Sequence, residues 1–368
     1  MSRVFNVGVP KAFNKALMLK RIDEILSGSS WGNNGYYVQA VEDYIKEYVG
    51  CNDAVLVSNA TDGLELSIRA HLKTFDFLKD FDLDELTCLM PSFTFVAAAS
   101  VCKRLGIGVT YGDITKDFCL DPKSLEGIPE WDFIIPASLF GNQLDNSFYG
   151  ENTYPTIVDN AHSLGCFNEP LSCYVGNDCE AGVFSLHSTK LGGSGEAGII
   201  TCKSTETADY IREMRSFGYG KSDDREGRVD SVGGNFKVTE VQAALALTQL
   251  ENIQEIQEHY FNVHQEYERL LPNLIKQKNN MFSNWSYVVV QVDARKRDSI
   301  ISRMNQDGIF PRTYFKPLHH MSVYKENINL PMTDKISSEI MCLPTGLTIS
   351  LEDVQYISRS LANAIKEG

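Results

Sequence analysis

The 368-residue chain has no excess of cations: 34 Lys and Arg stand against 48 Asp and Glu, a formal charge of −14. Such an acidic balance disfavours nucleic acid or an anionic membrane as a partner, and no basic cluster or helix-turn-helix pattern offsets it. A small anion remains admissible, because backbone dipoles and a few local cations bind phosphate even in acidic proteins. No Cys-x-x-Cys pair occurs among the nine cysteines, and their number is odd. That argues for buried free thiols in a reducing compartment, against a disulfide frame or a cysteine-held zinc. No apolar run reaches membrane-spanning length, and the first residues lack a signal-peptide pattern, which predicts a soluble, cytoplasmic protein. Internal repeats and low-complexity tracts are missing too.

What is present is an alternation. Short apolar runs at 54–57, 87–90, 108–111, 133–140, 156–159, 182–184 and 199–202 read as strands. Helical spacing at 12–27, 37–49, 64–72, 95–105 and 206–216 supplies the helices. This order predicts an α/β domain with a mostly parallel central sheet covered by helices on both faces. From Lys237 the apolar residues recur at helical spacing, which predicts a long helix running past residue 265 and linking two domains. Beyond it lie a strand from Tyr287, a helix over 295–307, a loop over 311–330 and a final helix over 351–365, a small α+β domain. The length exceeds one compact core, and the expected division is 1–250 and 251–368.

The stretch Phe184-Ser-Leu-His-Ser-Thr-Lys190-Leu-Gly-Gly-Ser-Gly-Glu-Ala-Gly198 carries the most chemistry. It places Lys190 in a short turn between two apolar runs, at the mouth of a sheet. A partly desolvated amine there has a lowered pKa and attacks carbonyls. Asp159 ends a strand, where ligands of open α/β sheets gather; it suits a cationic partner or a helix cap. Ser58-Asn-Ala-Thr-Asp-Gly63 turns a strand into a helix. Its free N–H groups and hydroxyls cradle a phosphate or cap the helix. Phe95 follows another strand, and its ring stacks on a flat heterocycle or belongs to the core. Taken together these four match pyridoxal 5′-phosphate, which needs an amine, an acid for its pyridine nitrogen, a phosphate cup and a stacking face.

The chain also resembles the DegT/StrS group of nucleotide-sugar aminotransferases, fold type I pyridoxal-phosphate enzymes. The resemblance rests on Ser58-Asn-Ala-Thr-Asp-Gly-Leu-Glu-Leu66, Pro91-Ser-Phe-Thr-Phe-Val-Ala97, Val158-Asp-Asn-Ala-His-Ser-Leu-Gly165 and Phe184 to Lys190. It extends through Gly195-Glu-Ala-Gly198, Gly234-Asn-Phe-Lys-Val-Thr-Glu-Val-Gln-Ala-Ala244 and Tyr314-Phe-Lys-Pro-Leu-His319. It implies that Lys190 carries the cofactor and shuttles protons, Asp159 pairs with the pyridine nitrogen, Phe95 stacks on the ring and His162 lies at its edge. It further implies that Ala60, Thr61 and Ser185 hold the phosphate. Asn235 would reach the same phosphate from a neighbouring subunit, in a homodimer with a shared active site. Arg312, Tyr314 and His319 would belong to a substrate loop. A residue that is often His or Asn in the family is Ser138 here. The implied reaction moves an amine from L-glutamate to a nucleotide-linked keto-deoxysugar, with C4 of a dTDP-linked 4-keto-6-deoxyhexose favoured. C3 amination and a non-catalytic regulatory relative are the alternatives.

Overall fold

The computed structural model describes residues 3–28, 32–74, 82–126, 131–149, 154–219, 229, 231–275 and 282–367. Between the helical runs 12–27 and 37–49, the turn-rich stretch Gly28-Ser-Ser-Trp-Gly-Asn-Asn-Gly35 reads as a loop, and it lies partly outside the described residues. In chain order the strands are β1 (Phe5–Asn6), β2 (Asp53–Val57), β3 (Thr87–Pro91), β4 (Gly108–Gly112), β5 (Phe133–Ile134), β6 (Ile157–Asp159) and β7 (Phe167–Asn168). They continue as β8 (Cys173–Tyr174), β9 (Ala181–Ser185), β10 (Gly198–Cys202), β11 (Val289–Gln291), β12 (Ile309–Phe310) and β13 (Ile340–Cys342). The helices are α1 (Lys15–Ser27), α2 (Tyr36–Val49), α3 (Ala60–Thr74), α4 (Ala97–Arg104) and α5 (Thr205–Arg215). After them come α6 (Glu240–Leu250), α7 (Ile253–Leu270), α8 (Ala294–Gln306), α9 (Pro331–Glu339) and α10 (Leu351–Glu367).

Two ladders, β2-β10-β9-β6 and β4-β3-β5, meet through parallel bridges from Ile134 to Thr156 and from Ala137 to Asp159. The combined order is β2-β10-β9-β6-β5-β3-β4. Only β10 runs antiparallel to its neighbours, β2 and β9. The carboxyl ends of β2, β3, β6 and β9 therefore share one edge, and the turns that follow them converge there.

Successive side chains of a strand face opposite ways, and both faces of this sheet are buried. Val55 and Val57 of β2 join Ile200 of β10 in a core with Leu64, Ile68, Val101 and Ile211 from α3, α4 and α5. Ala54 and Leu56 join Ile199 in a second core with Val41, Ile45, Ala243 and Leu247 from α2 and α6. A third core packs Phe5, Val263, Tyr267, Val288, Val290, Ile309 and Leu361. α7 serves two of these, with Ile253 and Ile256 in the second and Val263 and Tyr267 in the third. β1 pairs with β12, so the N-terminal segment packs with the C-terminal region of the chain.

Several elements differ from expectation. The single long helix is two helices, because Asn252 sends its side chain to the Thr248 carbonyl (2.7 Å) and its backbone N–H to Gln249 O. An asparagine that takes the carbonyl of the preceding turn competes with helix continuation. The run 133–140 is a strand for two residues only; Pro136 offers no N–H, and Phe140 adopts a φ of 57°. The β7–β8 hairpin was not foreseen. All nine cysteines are free thiols. No helix among the described residues is long and apolar enough to cross a membrane.

A buried charge cluster fixes α5 and α2 to β2. Arg215 donates to Glu42 (2.6 Å) and to Leu56 O (2.7 Å), while Glu42 also accepts from Leu56 N–H (2.9 Å). Glu42→Ala leaves the buried guanidinium without its carboxylate, which costs about 3–5 kcal/mol. Urea unfolding measures this loss; a change below about 1 kcal/mol, the range of an exposed pair, would contradict burial of the cluster.

Candidate active site

The turn between β9 and β10 is closed by its own backbone. Leu186 N–H donates to Ala197 O (2.8 Å), Ser188 N–H to Gly195 O (2.9 Å) and Gly193 N–H to Lys190 O (3.0 Å). A Cβ on Gly193 would stand 2.8–2.9 Å from the carbonyl oxygens of Ser188 and His187, so only glycine closes this turn. Gly198, at the start of β10, serves a similar purpose. A Cβ there would lie 2.6 Å from Asn59 C and Ala60 N, so its bareness lets the start of α3 sit against β10. Asn59 caps α3, its Oδ1 accepting from Asp62 N–H (2.9 Å). Ser58 donates to Asp62, as does Asn59 Nδ2 (2.7 Å). The capping foreseen for Ser58 and Thr61 is thus done by Asn59, and Ala60 and Thr61, the first residues of α3, line the cavity.

These turns enclose a cavity of about 560 Å³ whose lining includes Lys190, Asp159, His162, Phe95, Ser185, Ala60 and Thr61. Lys190 Nζ donates to Tyr287 Oη at 2.8 Å. The Tyr287 ring stacks on His162, with centroids 4.5 Å apart and planes 30° apart. His162 Nδ1 accepts from Phe140 N–H (3.3 Å), which leaves its proton on Nε2. Phe95 is 55% exposed, unusual for an aromatic at a strand end, and it presents its ring to the cavity beside Phe315.

Burial sets the electrostatics. Desolvation lowers the Lys190 ammonium from its ordinary value to about 8, although Asp159 pulls the other way. Asp159 is buried, and desolvation raises its carboxyl against the pull of Ala161 N–H and the Lys190 charge. Its Oδ1 accepts from Ala161 N–H at 3.0 Å, and among the described residues it forms no ion pair. Desolvation, helped by the Lys190 charge, holds His162 well below its ordinary value, so it is neutral.

Two expected residues are not brought to this cavity, and Asn235, expected to act from a neighbouring subunit, lies outside its own chain's cavity. Asn235 is exposed and accepts from Lys237. Arg312 is exposed, its backbone bridged to Cys342. His319 is buried elsewhere, its Nδ1 2.6 Å from Ser92 Oγ. Tyr314 does line the cavity. Tyr287, Phe315, Thr94 and Thr345 line it without having been singled out. Tyr287 gave one faint signal, a hydroxyl at the entry to an apolar strand.

Residues 14–362 match the model of the DegT/DnrJ/EryC1/StrS aminotransferase family. The chain belongs to this family. The chain is similar to a dTDP-4-amino-4,6-dideoxy-D-glucose transaminase of Shigella dysenteriae, 26% identical over 91% of this chain and 92% of the relative. A UDP-4-amino-4,6-dideoxy-N-acetyl-β-L-altrosamine transaminase of Helicobacter pylori is 24% identical over 87% of this chain and 88% of its own length. The fold agrees with that of solved aminotransferases. PseC of Helicobacter pylori, involved in pseudoaminic acid biosynthesis, superposes with a TM-score of 0.88 at 21% identity over the whole of both chains. NtdA of Bacillus subtilis, solved with bound cofactor PMP, gives 0.85 at 20% identity, covering 98% of this chain and 83% of NtdA. This aminotransferase is an α/β enzyme of fold type I.

The residues present fit pyridoxal 5′-phosphate. A buried carboxylate without an ion-pair partner awaits a cation, and a depressed amine awaits an aldehyde. Thr94, Ser138 and Thr345 line the same cavity, and their buried hydroxyls have no hydrogen-bond partner among the described residues. Unsatisfied polar atoms of that kind are costly unless a polar ligand meets them.

Proposed function

We propose that this aminotransferase moves the amino group of L-glutamate to C4 of dTDP-4-keto-6-deoxyglucose, with Lys190 as the residue that carries the cofactor and moves the protons. The observation that carries the reading is the meeting of Lys190 and Asp159 in one cavity with Phe95 and the start of α3. Support for C4 comes from the two relatives above, whose names both place the amine at that carbon although their nucleotides differ.

The cofactor is pyridoxal 5′-phosphate, which when bound supplies an aldehyde that takes up amines and a ring that withdraws electrons once its nitrogen is protonated. The Asp159 carboxylate keeps that nitrogen protonated. Lys190 Nζ takes the proton from the amine-bearing carbon of the donor and later delivers one to the sugar carbon that becomes amine-bearing. Tyr287 Oη holds Nζ on that side of the cavity. Phe95 would stack on the ring, and neutral His162, with its proton on Nε2, would be a hydrogen-bond donor close to it. The N–H groups of Ala60 and Thr61 with the Ser185 hydroxyl hold the phosphate, as anions are held at helix starts. Asn235, exposed and outside its own cavity, completes the phosphate site of a second copy, which makes the working form a homodimer. Tyr314, with Arg312 two residues away, meets the sugar nucleotide.

Only a neutral amine attacks an aldehyde. Loading of cofactor-free protein is thus expected to speed up about tenfold per pH unit below a midpoint near 8 and to level off above it. Tyr287→Phe removes an acceptor from the charged form of Lys190 and moves the midpoint down. Stopped-flow absorbance at a series of pH values reads both; a flat profile from pH 6 to 9 contradicts the depressed amine.

Incubation with glutamate and a panel of dTDP- and UDP-linked 4-keto and 3-keto sugars, followed by mass spectrometry and NMR, tests the substrate. A new amine at C4 of the dTDP sugar is expected. An amine at C3, or turnover confined to UDP sugars, overturns the assignment.

A further inference from the structure

We propose that His319, His320 and Asp334 form a binding site for a transition-metal ion of the zinc class, outside the active-site cavity. The short turn Leu318–His320 here abuts the first helical turn of α9. His320 Nε2 lies 2.7 Å from Asp334 Oδ1, and His319 Nε2 lies 3.3 Å from the same oxygen. All three ligand atoms stand within 4.8 Å of one another.

His319 makes the site more than a surface ion pair. Its side chain is 1% exposed, yet among the described residues its Nε2 has no aligned hydrogen-bond partner; the carboxylate lies 3.3 Å away. Its Nδ1 is 2.6 Å from Ser92 Oγ, which also accepts from His319 N–H at 3.1 Å. With the proton on Nδ1 facing Ser92, Nε2 carries a lone pair, 3.3 Å from Asp334 Oδ1. One nitrogen held by a hydrogen bond and the other free toward a carboxylate is how proteins orient a metal-binding histidine.

Two imidazoles and one carboxylate suit Zn²⁺, Co²⁺ or Ni²⁺ and not the all-oxygen preference of Mg²⁺ or Ca²⁺. The side chains of His320 and Asp334 are about half exposed, so the ion has a path of entry and room for a water as fourth ligand. Asp113 adds negative charge behind the site while its two oxygens accept from Met332 and Thr333 N–H. A bound ion ties the segment that carries Tyr314 and Phe315, a wall of the cavity, to α9. It does so without touching the cavity, so the site stands apart from the choice of sugar.

The test uses holoenzyme dialysed against EDTA and then titrated calorimetrically with ZnCl₂. One Zn²⁺ per chain is expected, with micromolar or tighter affinity and a higher thermal midpoint. His320→Ala and Asp334→Asn alter half-exposed side chains and should fold normally; each weakens binding at least ~10-fold and abolishes the thermal shift. Co²⁺ should give visible bands of low symmetry that the same variants remove. Absence of saturable Zn²⁺ uptake overturns the proposal. So does uptake that both variants leave unchanged, which would place the metal on cysteine or elsewhere.

Discussion

Lys190→Ala is expected to give a folded protein that transfers no measurable amino group. The turn around Lys190 is held by backbone bonds from Leu186, Ser188 and Gly193, none of which needs the side chain. What the fold loses is one contact, Nζ to Tyr287 Oη, and leaving that buried hydroxyl short of a partner costs about 1–3 kcal/mol. What the chemistry loses is larger. Removing a general acid–base group alone lowers a rate about 10²–10⁴-fold, and in the proposed function this residue also carries the cofactor. A kcat below ~10⁻⁴ of the parent enzyme is the expectation, with a nearly unchanged circular dichroism spectrum. Small alkylamines that fit the vacated space should restore some of the rate, which a merely misfolded variant cannot show. Turnover within tenfold of the parent would remove Lys190 from the mechanism.

Asp159→Asn should change activity and stability in opposite directions. The amide keeps the oxygen that accepts from Ala161 N–H but gives up the charge. Loss of a preorganised electrostatic partner costs about 10²–10³ in kcat. The cofactor-free protein, however, has a carboxyl raised above its unfolded value by burial. Folding then favours the protonated form, so stability is full below the unfolded pKa, about 3.9, and is lost as pH rises through the folded one. At neutral pH the buried charge is a cost, and asparagine relieves it. The variant without cofactor should melt no lower than the parent at pH 7.5 and lose that advantage at pH 4. Nearly parental kcat would show that the pyridine nitrogen has no need of this carboxylate.

The sheet, and the residues that line the candidate site together, could be read from the sequence because each element there carries a local signal. Lys190 sits between two apolar runs and ahead of glycines whose missing side chains the turn requires. Asp159 and the 58–63 turn follow buried strands, and parallel order alone brings them to one edge. Tyr287 could not be read in this way. Whether its hydroxyl faces the cavity depends on how β11 registers against β13, a contact between segments about fifty residues apart. The pairs β1–β12 and β7–β8 escaped because two-residue strands cannot show alternation. His319 carried a motif but no sign of direction, and its ring turns to Ser92, 227 positions earlier in the chain. The break at Asn252 was hidden because apolar spacing runs through it unchanged.

The cavity's walls include Val7 and Gly8 near one end of the chain and Thr345 near the other. A nascent polypeptide therefore owns no finished pocket until Thr345 has left the ribosome, more than three hundred positions after Val7, and capture of the vitamin waits for that residue.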